Sequence, residues 1–241
     1  MLVTTDGIVL HFIKYGGSSV IATIFTREHG RQSFMVNAAR SKTSKNKAGI
    51  LQPLFLVNLV AYEKQSREIQ RIKEIRSSQA YQNIPFDVIK STQVIFIAEI
   101  LYKTIKEQES YPEIYDFIQN SLLYFDLMEK GASNFHLWFL LRLTKYLGFM
   151  PDTLFADTEG WFDLQKGAVV ASEPLHTLFM NKQATRPFIE LAALKINELH
   201  DFKISRTMRD YLLENIITYY RLHFESLGEI KSLKVLRELF S

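Results

Sequence analysis

The chain has 241 residues, 47% hydrophobic and 23% charged, which gives one or two domains a real apolar core and excludes global disorder. It contains no cysteine, which excludes a disulfide scaffold, a thiol nucleophile, an iron–sulfur cluster and any cysteine-ligated zinc site. The formal charge of +3 is a small difference between unlike halves: residues 1–80 carry 12 Lys/Arg against 5 Asp/Glu, a net +7, and residues 81–241 carry 17 against 21, a net −4. Such asymmetry points to a polyanion partner for the first part.

In chain order, residues 7–14 (GIVLHFIK) read as a first strand, rich in β-branched side chains, closed by Tyr15-Gly16-Gly17-Ser18-Ser19. Residues 20–26 give a second strand. Glu28-His29-Gly30-Arg31 is a tight turn in which glycine supplies positive φ, and 32–38 give the third strand. Segment 39–49, ARSKTSKNKAG, is a polar basic loop. Pro53 leads into a fourth strand at 54–62, and 68–75 alternate imperfectly, fitting a fifth strand or a short helix. Four or five short strands with a basic loop predict an OB-fold β-barrel, with an SH3-like barrel as the neighbouring possibility. From Pro85 the apolar period becomes helical: 87–109, 112–129 and an almost wholly apolar 133–147 that belongs at the centre of a bundle, closed by Gly148 and Pro151. Residues 152–183 form an irregular insertion with a small hairpin at 160–171. Helices resume at 186–198, 205–225 and 229–240. The predicted class is therefore α+β: an OB-fold domain at 1–80 and a mostly helical domain at 81–241, with its cysteine-free insertion at about 152–183.

Local catalytic signatures are missing. None of the six histidines forms HExxH, and there is no GxxxxGK[ST], GxGxxG or GxSxG. Asp152, Asp157, Glu159 and Asp163 read as a solvated loop rather than a metal site. This pattern predicts a binding protein without cofactor or metal. The densest cationic run is Arg27, Arg31, Arg40, Lys42, Lys45 and Lys47, the candidate nucleic-acid contacts: cations on a barrel and its loop meet phosphates without reading sequence. Phe12, Tyr15, Phe34, Phe55 and Tyr62 are the aromatic residues available for base stacking, and the sequence leaves open which of them face solvent. No run approaches the ~18 apolar residues of a membrane span, and MLVTTDGIVLHF lacks a signal-peptide pattern, so the cytoplasm is the expected compartment.

Several stretches resemble the RecO family of bacterial DNA repair proteins. They are FTREHGRQSFMVNAARSKTSKNKAGILQPLFLV at 25–57, with Thr26 and Gly30, Ala39-Arg40-Ser41-Lys42 and Leu51-Gln52-Pro53-Leu54; Glu99 in the first long helix; the Leu147-Gly148-Phe149-Met150-Pro151 exit; and Tyr220, His223 and Ile230-Lys231-Ser232-Leu233. The resemblance implies an OB-fold domain joined to a helical one, binding of single- and double-stranded DNA, strand annealing, and action with RecR, and often RecF, to load RecA onto DNA coated with single-stranded DNA-binding protein (SSB). It also implies contact between the helical domain and the acidic, apolar SSB tail, at the nucleoid and without covalent chemistry. Such a tail requires an apolar pocket rimmed by cations. Arg142, Lys145, Arg186 and Arg206 flank apolar helical faces and are the rim candidates. Many members carry four zinc-binding cysteines after the proline exit, and this chain departs from them there. An OB-type RNA-binding module is the alternative reading.

Overall fold

The computed structural model describes residues 1–16, 19–37, 49–64, 66–106, 109–153 and 159–239. They divide into two compact units, 1–126 and 127–241.

Unit 1 is a closed five-stranded barrel followed by two helices. The strands are β1 (Leu2–Tyr15), β2 (Ser19–Thr26), β3 (Gly30–Asn37), β4 (Leu56–Tyr62) and β5 (Ile69–Gln79). They close in the order β1-β2-β3-β5-β4, with β3 and β5 parallel and the other pairs antiparallel. This is the OB-type arrangement predicted from the strand pattern. Alternation fills the interior with Val9, Ala22, Ile24, Phe34, Val36, Val57, Leu59, Ala61 and Ile75.

β1 serves both sides of the closure. Its first half pairs with β4, its second half with β2, and Gly7 and Ile8 pair with both. At that crossing a methyl on Gly7 would come within 2.5 Å of Ile24 Cγ2, so only glycine lets the two ladders meet. A register shift between Val9 and His11 bends the strand. The strand begins five residues earlier than its apolar pattern suggests, because Thr4, Thr5 and Asp6 are polar yet fully paired with β4. β5 resolves the strand-or-helix ambiguity at 68–75 as a strand. Its alternation is imperfect because the β4–β5 register shifts at two places.

The helices of unit 1 are α1 (Val88–Thr104) and α2 (Pro112–Leu127). Asp87 caps α1 by accepting from the Ile89 and Lys90 amides. Between barrel and helix, the buried Asp126 carboxylate accepts backbone N–H bonds from Gln82, Asn83 and Ile84 at 2.7–2.9 Å. The Asp126 carbonyl accepts from Lys90 Nζ at 2.8 Å and Asn83 Nδ2 at 2.9 Å. Leu54, with φ 57°, is a left-handed non-glycine residue in the Leu-Gln-Pro-Leu turn. Its N–H donates to Val9 O at 2.7 Å and its carbonyl accepts the Tyr81 hydroxyl at 2.8 Å.

Unit 2 is helical around α3 (Phe135–Tyr146), whose Phe135, Leu137, Phe139, Leu140 and Leu143 are wholly buried. α3 packs on α4 (Lys182–Ala193) and α5 (Arg206–His223), and α6 (Ser232–Leu239) follows. Tyr220 on α5 donates to Leu140 O at 2.7 Å, and Tyr219 to Phe149 O at 2.8 Å. His136 is wholly buried, and burial, with the Arg209 charge adding to it, pushes its pKa down to about 3, so it is neutral. α4 starts four residues before the predicted 186, because the Asn181 side chain caps it by accepting from the Ala184 amide, and Pro187 is carried inside the helix.

The insertion holds a three-stranded sheet in the order β7-β6-β8, from β6 (Trp161–Asp163), β7 (Ala168–Val170) and β8 (Phe179–Met180). It includes the predicted hairpin. Phe162 seals it against Phe188, with ring centroids 4.6 Å apart, and against Tyr219 at 5.9 Å.

Candidate nucleic-acid interface

The six cations singled out by the charge run divide into two groups. Arg40, Lys42, Lys45 and Lys47 lie outside the described residues. Arg27 and Arg31 are engaged within unit 1. Arg27 makes a two-pronged contact with Asp116 on α2, Nε–Oδ1 and Nη2–Oδ2 both at 3.0 Å, and this contact holds the Asp116 carboxyl below its ordinary pKa. Arg31 donates from Nη1 to Tyr102 O at 2.7 Å and to Ile105 O at 2.6 Å, while its guanidinium lies 4.5 Å from the centroid of the Tyr102 ring. Those carbonyls are the orphan acceptors at the C-terminus of α1, where a cation also opposes the helix dipole. The His11 ring lies tilted against the same Tyr102, centroids 4.7 Å apart, and its pKa is lowered by burial and then by the Arg31 charge. Arg31 is therefore a helix cap. Arg31→Ala is expected to lower stability by about 1–2 kcal/mol and to leave single-strand affinity within about twofold. Urea unfolding and fluorescence anisotropy check this, and a tenfold affinity loss at unchanged stability would place Arg31 at the interface.

The described cations that remain on the barrel surface gather elsewhere. Lys64, Arg67, Arg71, Lys73 and Arg76, on β5 and the loop before it, are all exposed, as is Lys14 at the end of β1. Lys73 approaches Glu74 at 3.9 Å, an exposed pair worth little. A shallow groove of about 380 Å³ across β1, β4 and β5 is lined by Thr4, Asn58, Val60, Glu74, Ile75 and Arg76. These cations count toward the +7 but are spread through an alternating segment rather than a visible run. The signal that finds them is the two-faced pattern of β5: Arg71 lies on its outer face, and the register shift between Ile72 and Glu74 lets Arg76, five residues on, lie exposed as well.

Strand register also sorts the five aromatic candidates. Phe34 is buried in the barrel, Phe12 packs against its core, and Phe55 meets Tyr81 edge-on at 5.7 Å. Tyr15 and Tyr62 are exposed, 53% and 45%, and are the two aromatics available to a ligand. Tyr15 adjoins the β1–β2 turn and Tyr62 the β4–β5 loop, the two connections that border the ligand face of OB barrels.

Comparison with known proteins agrees with this architecture. The family description "Recombination protein O N terminal" matches residues 1–81, and "Recombination protein O C terminal" matches residues 85–234. The chain belongs to the RecO family. It is similar to "DNA repair protein RecO" of Phocaeicola vulgatus and of Bacteroides fragilis, each 35% identical over 241 residues and covering all of both chains. It is also similar to that of Flavobacterium psychrophilum, 36% identical over 244 residues with the same full coverage. The departure from zinc-bearing RecO members is structural as well as compositional. Asp163 accepts from the amides of Gln165 (2.9 Å) and Lys166 (3.1 Å), with His176 Nε2 at 3.3 Å. Among the described residues no three His, Cys, Asp or Glu side chains gather into a metal-holding group. The described side chains supply no zinc-binding set, and the insertion is held by its sheet and by Phe162. There, Phe162 and Leu164 are buried and Trp161 lies under Lys182 Nζ at 4.4 Å.

The rim candidates in unit 2 are dispersed in role. Arg142 is half-buried and donates to Ala192 O at 3.2 Å; Lys145 and Arg186 are exposed. Arg206 lies 3.9 Å from Asp210 and lines a groove of about 490 Å³ with Tyr211, Glu214, Arg237 and Glu238, which holds none of the other three. Three carboxylates there disfavour an acidic tail. No helix among the described residues is long and apolar enough to cross a membrane.

Proposed function

We propose that this chain is a nonenzymatic mediator of recombinational DNA repair. It binds single- and double-stranded DNA, anneals complementary strands, and works with RecR, and with RecF where present, to load RecA onto SSB-coated single strands at the nucleoid in the cytoplasm. The observation that carries this reading is the match to both halves of the RecO family over a chain whose barrel displays exposed cations. Annealing requires two phosphate backbones to approach, and the basic barrel lowers that repulsion by displacing counterions without reading bases. Residues 81–241, net −4, do not attract DNA in general and are left for protein contacts, including the SSB tail.

The test is strand annealing of complementary oligonucleotides coated with SSB, with intact and tail-truncated SSB in parallel. Acceleration that is lost with the truncated tail is expected. No acceleration with either form would overturn the reading. Tighter binding to RNA than to DNA of equal length would favour the RNA-module alternative.

A further inference from the structure

The ladder pairings place one outward-facing residue from every strand in a single transverse row. Ile13 on β1 pairs with Ile21 on β2, Ile21 with Met35 on β3, Met35 with Arg71 on β5, Arg71 with Tyr62 on β4, and Tyr62 with Leu2 back on β1. On either side of this row the strands turn Phe34, Val36 and Ala61 inward, so the row belongs to the outer surface. Its members are unusual for an exterior. Ile13 is 50% exposed, Tyr62 45% and Leu2 49%, and Ile21 and Met35 are partly exposed. The corresponding outward position Phe25 is wholly buried and packed against Tyr115 of α2, so helix packing accounts for it and not for this row.

We propose that this row, centred on Met35, Arg71 and Tyr62, is a platform for the base faces of unpaired nucleotides, and that it separates the substrate of annealing from its product. The inference rests on the DNA-binding reading above and deepens it. Three features fix the occupant. The row is apolar but has a guanidinium in its middle and Lys14, Lys64, Arg67 and Lys73 around it, so its ligand combines flat apolar surfaces with regularly spaced negative charge. The row crosses neighbouring strands about 4.8 Å apart, so a nucleic-acid strand lying across the sheet meets several of its side chains. The row runs from the β1–β2 turn to the β4–β5 loop, the two borders of an OB ligand face. Bases laid on such a platform by their faces keep their pairing edges free for a second strand. A duplex hides those faces in its own stack, so the row loses its hold as pairing proceeds while the surrounding cations retain only the backbone.

The test uses the full chain with three fluorescein-labelled 20-mers: a mixed-sequence single strand, the same length of abasic strand, and the duplex. The base-bearing strand is expected to bind at least about tenfold more tightly than the abasic one. Met35→Ala combined with Tyr62→Ala is expected to remove most of that preference, leaving duplex affinity and the salt slope unchanged, and Tyr62→Phe to restore it. Equal binding of base-bearing and abasic strands, or a parallel loss for single strand and duplex in the double variant, would overturn the platform while leaving DNA binding standing. Failure to bind any of the three would overturn the DNA-binding reading, and the platform with it.

Discussion

Asp126→Ala is expected to destabilise unit 1 by about 3 kcal/mol. The carboxylate is buried and accepts three consecutive amides, from Gln82, Asn83 and Ile84. Its removal strands donors that the surrounding chain does not otherwise satisfy, and each hydrogen bond to a charged acceptor is worth about 1.5–3 kcal/mol before water returns. Asp126→Asn is expected to cost less, because one oxygen survives, but its amide nitrogen faces an N–H. Hydrogen exchange at residues 82–84 together with urea unfolding provides the measurement. A loss under about 0.5 kcal/mol, with unchanged protection of those amides, would show that the anchor is redundant.

Reversing Lys64, Arg67 and Arg71 together to glutamate is expected to weaken single-strand binding by at least about a hundredfold near 50 mM salt. If each cation neutralises one phosphate, the slope of log affinity against log salt becomes shallower by about 2, since single strands lose about 0.7 per contact. All three side chains are exposed, and Arg71 projects from the outer face of β5, so the fold tolerates the change. An unchanged slope would take these three cations out of the interface.

The barrel was legible because strand length, β-branched content and the Gly30 turn agree with each other. Legibility faded where the ladder is irregular: the polar Thr4–Asp6 stretch pairs fully with β4, and shifted register in β4–β5 blurred the alternation of 68–75. The interface was harder to read for a different reason. A charge run records proximity in sequence, and Arg27 and Arg31 met that criterion while their partners, Asp116 and the carbonyls of Tyr102 and Ile105, come from helices 70 or more residues away in the chain. Arg67, Arg71 and Lys73 form no run because they alternate with apolar and acidic neighbours, which is how a two-faced strand must look. The choice among Phe12, Tyr15, Phe34, Phe55 and Tyr62 needed register, and register is set by pairing rather than by composition.

The way unit 1 is tied together bears on how far its barrel is portable. Tyr81, just past β5, reaches back to Leu54 O; Phe25 leans on Tyr115; and Arg27 and Arg31 end on α2 and α1. A barrel excised after its last strand would bare Ile8 and Phe25 to water and leave two guanidiniums without their acceptors. Swapping binding faces between related chains therefore means exchanging the first 126 residues as a piece, barrel and helices together.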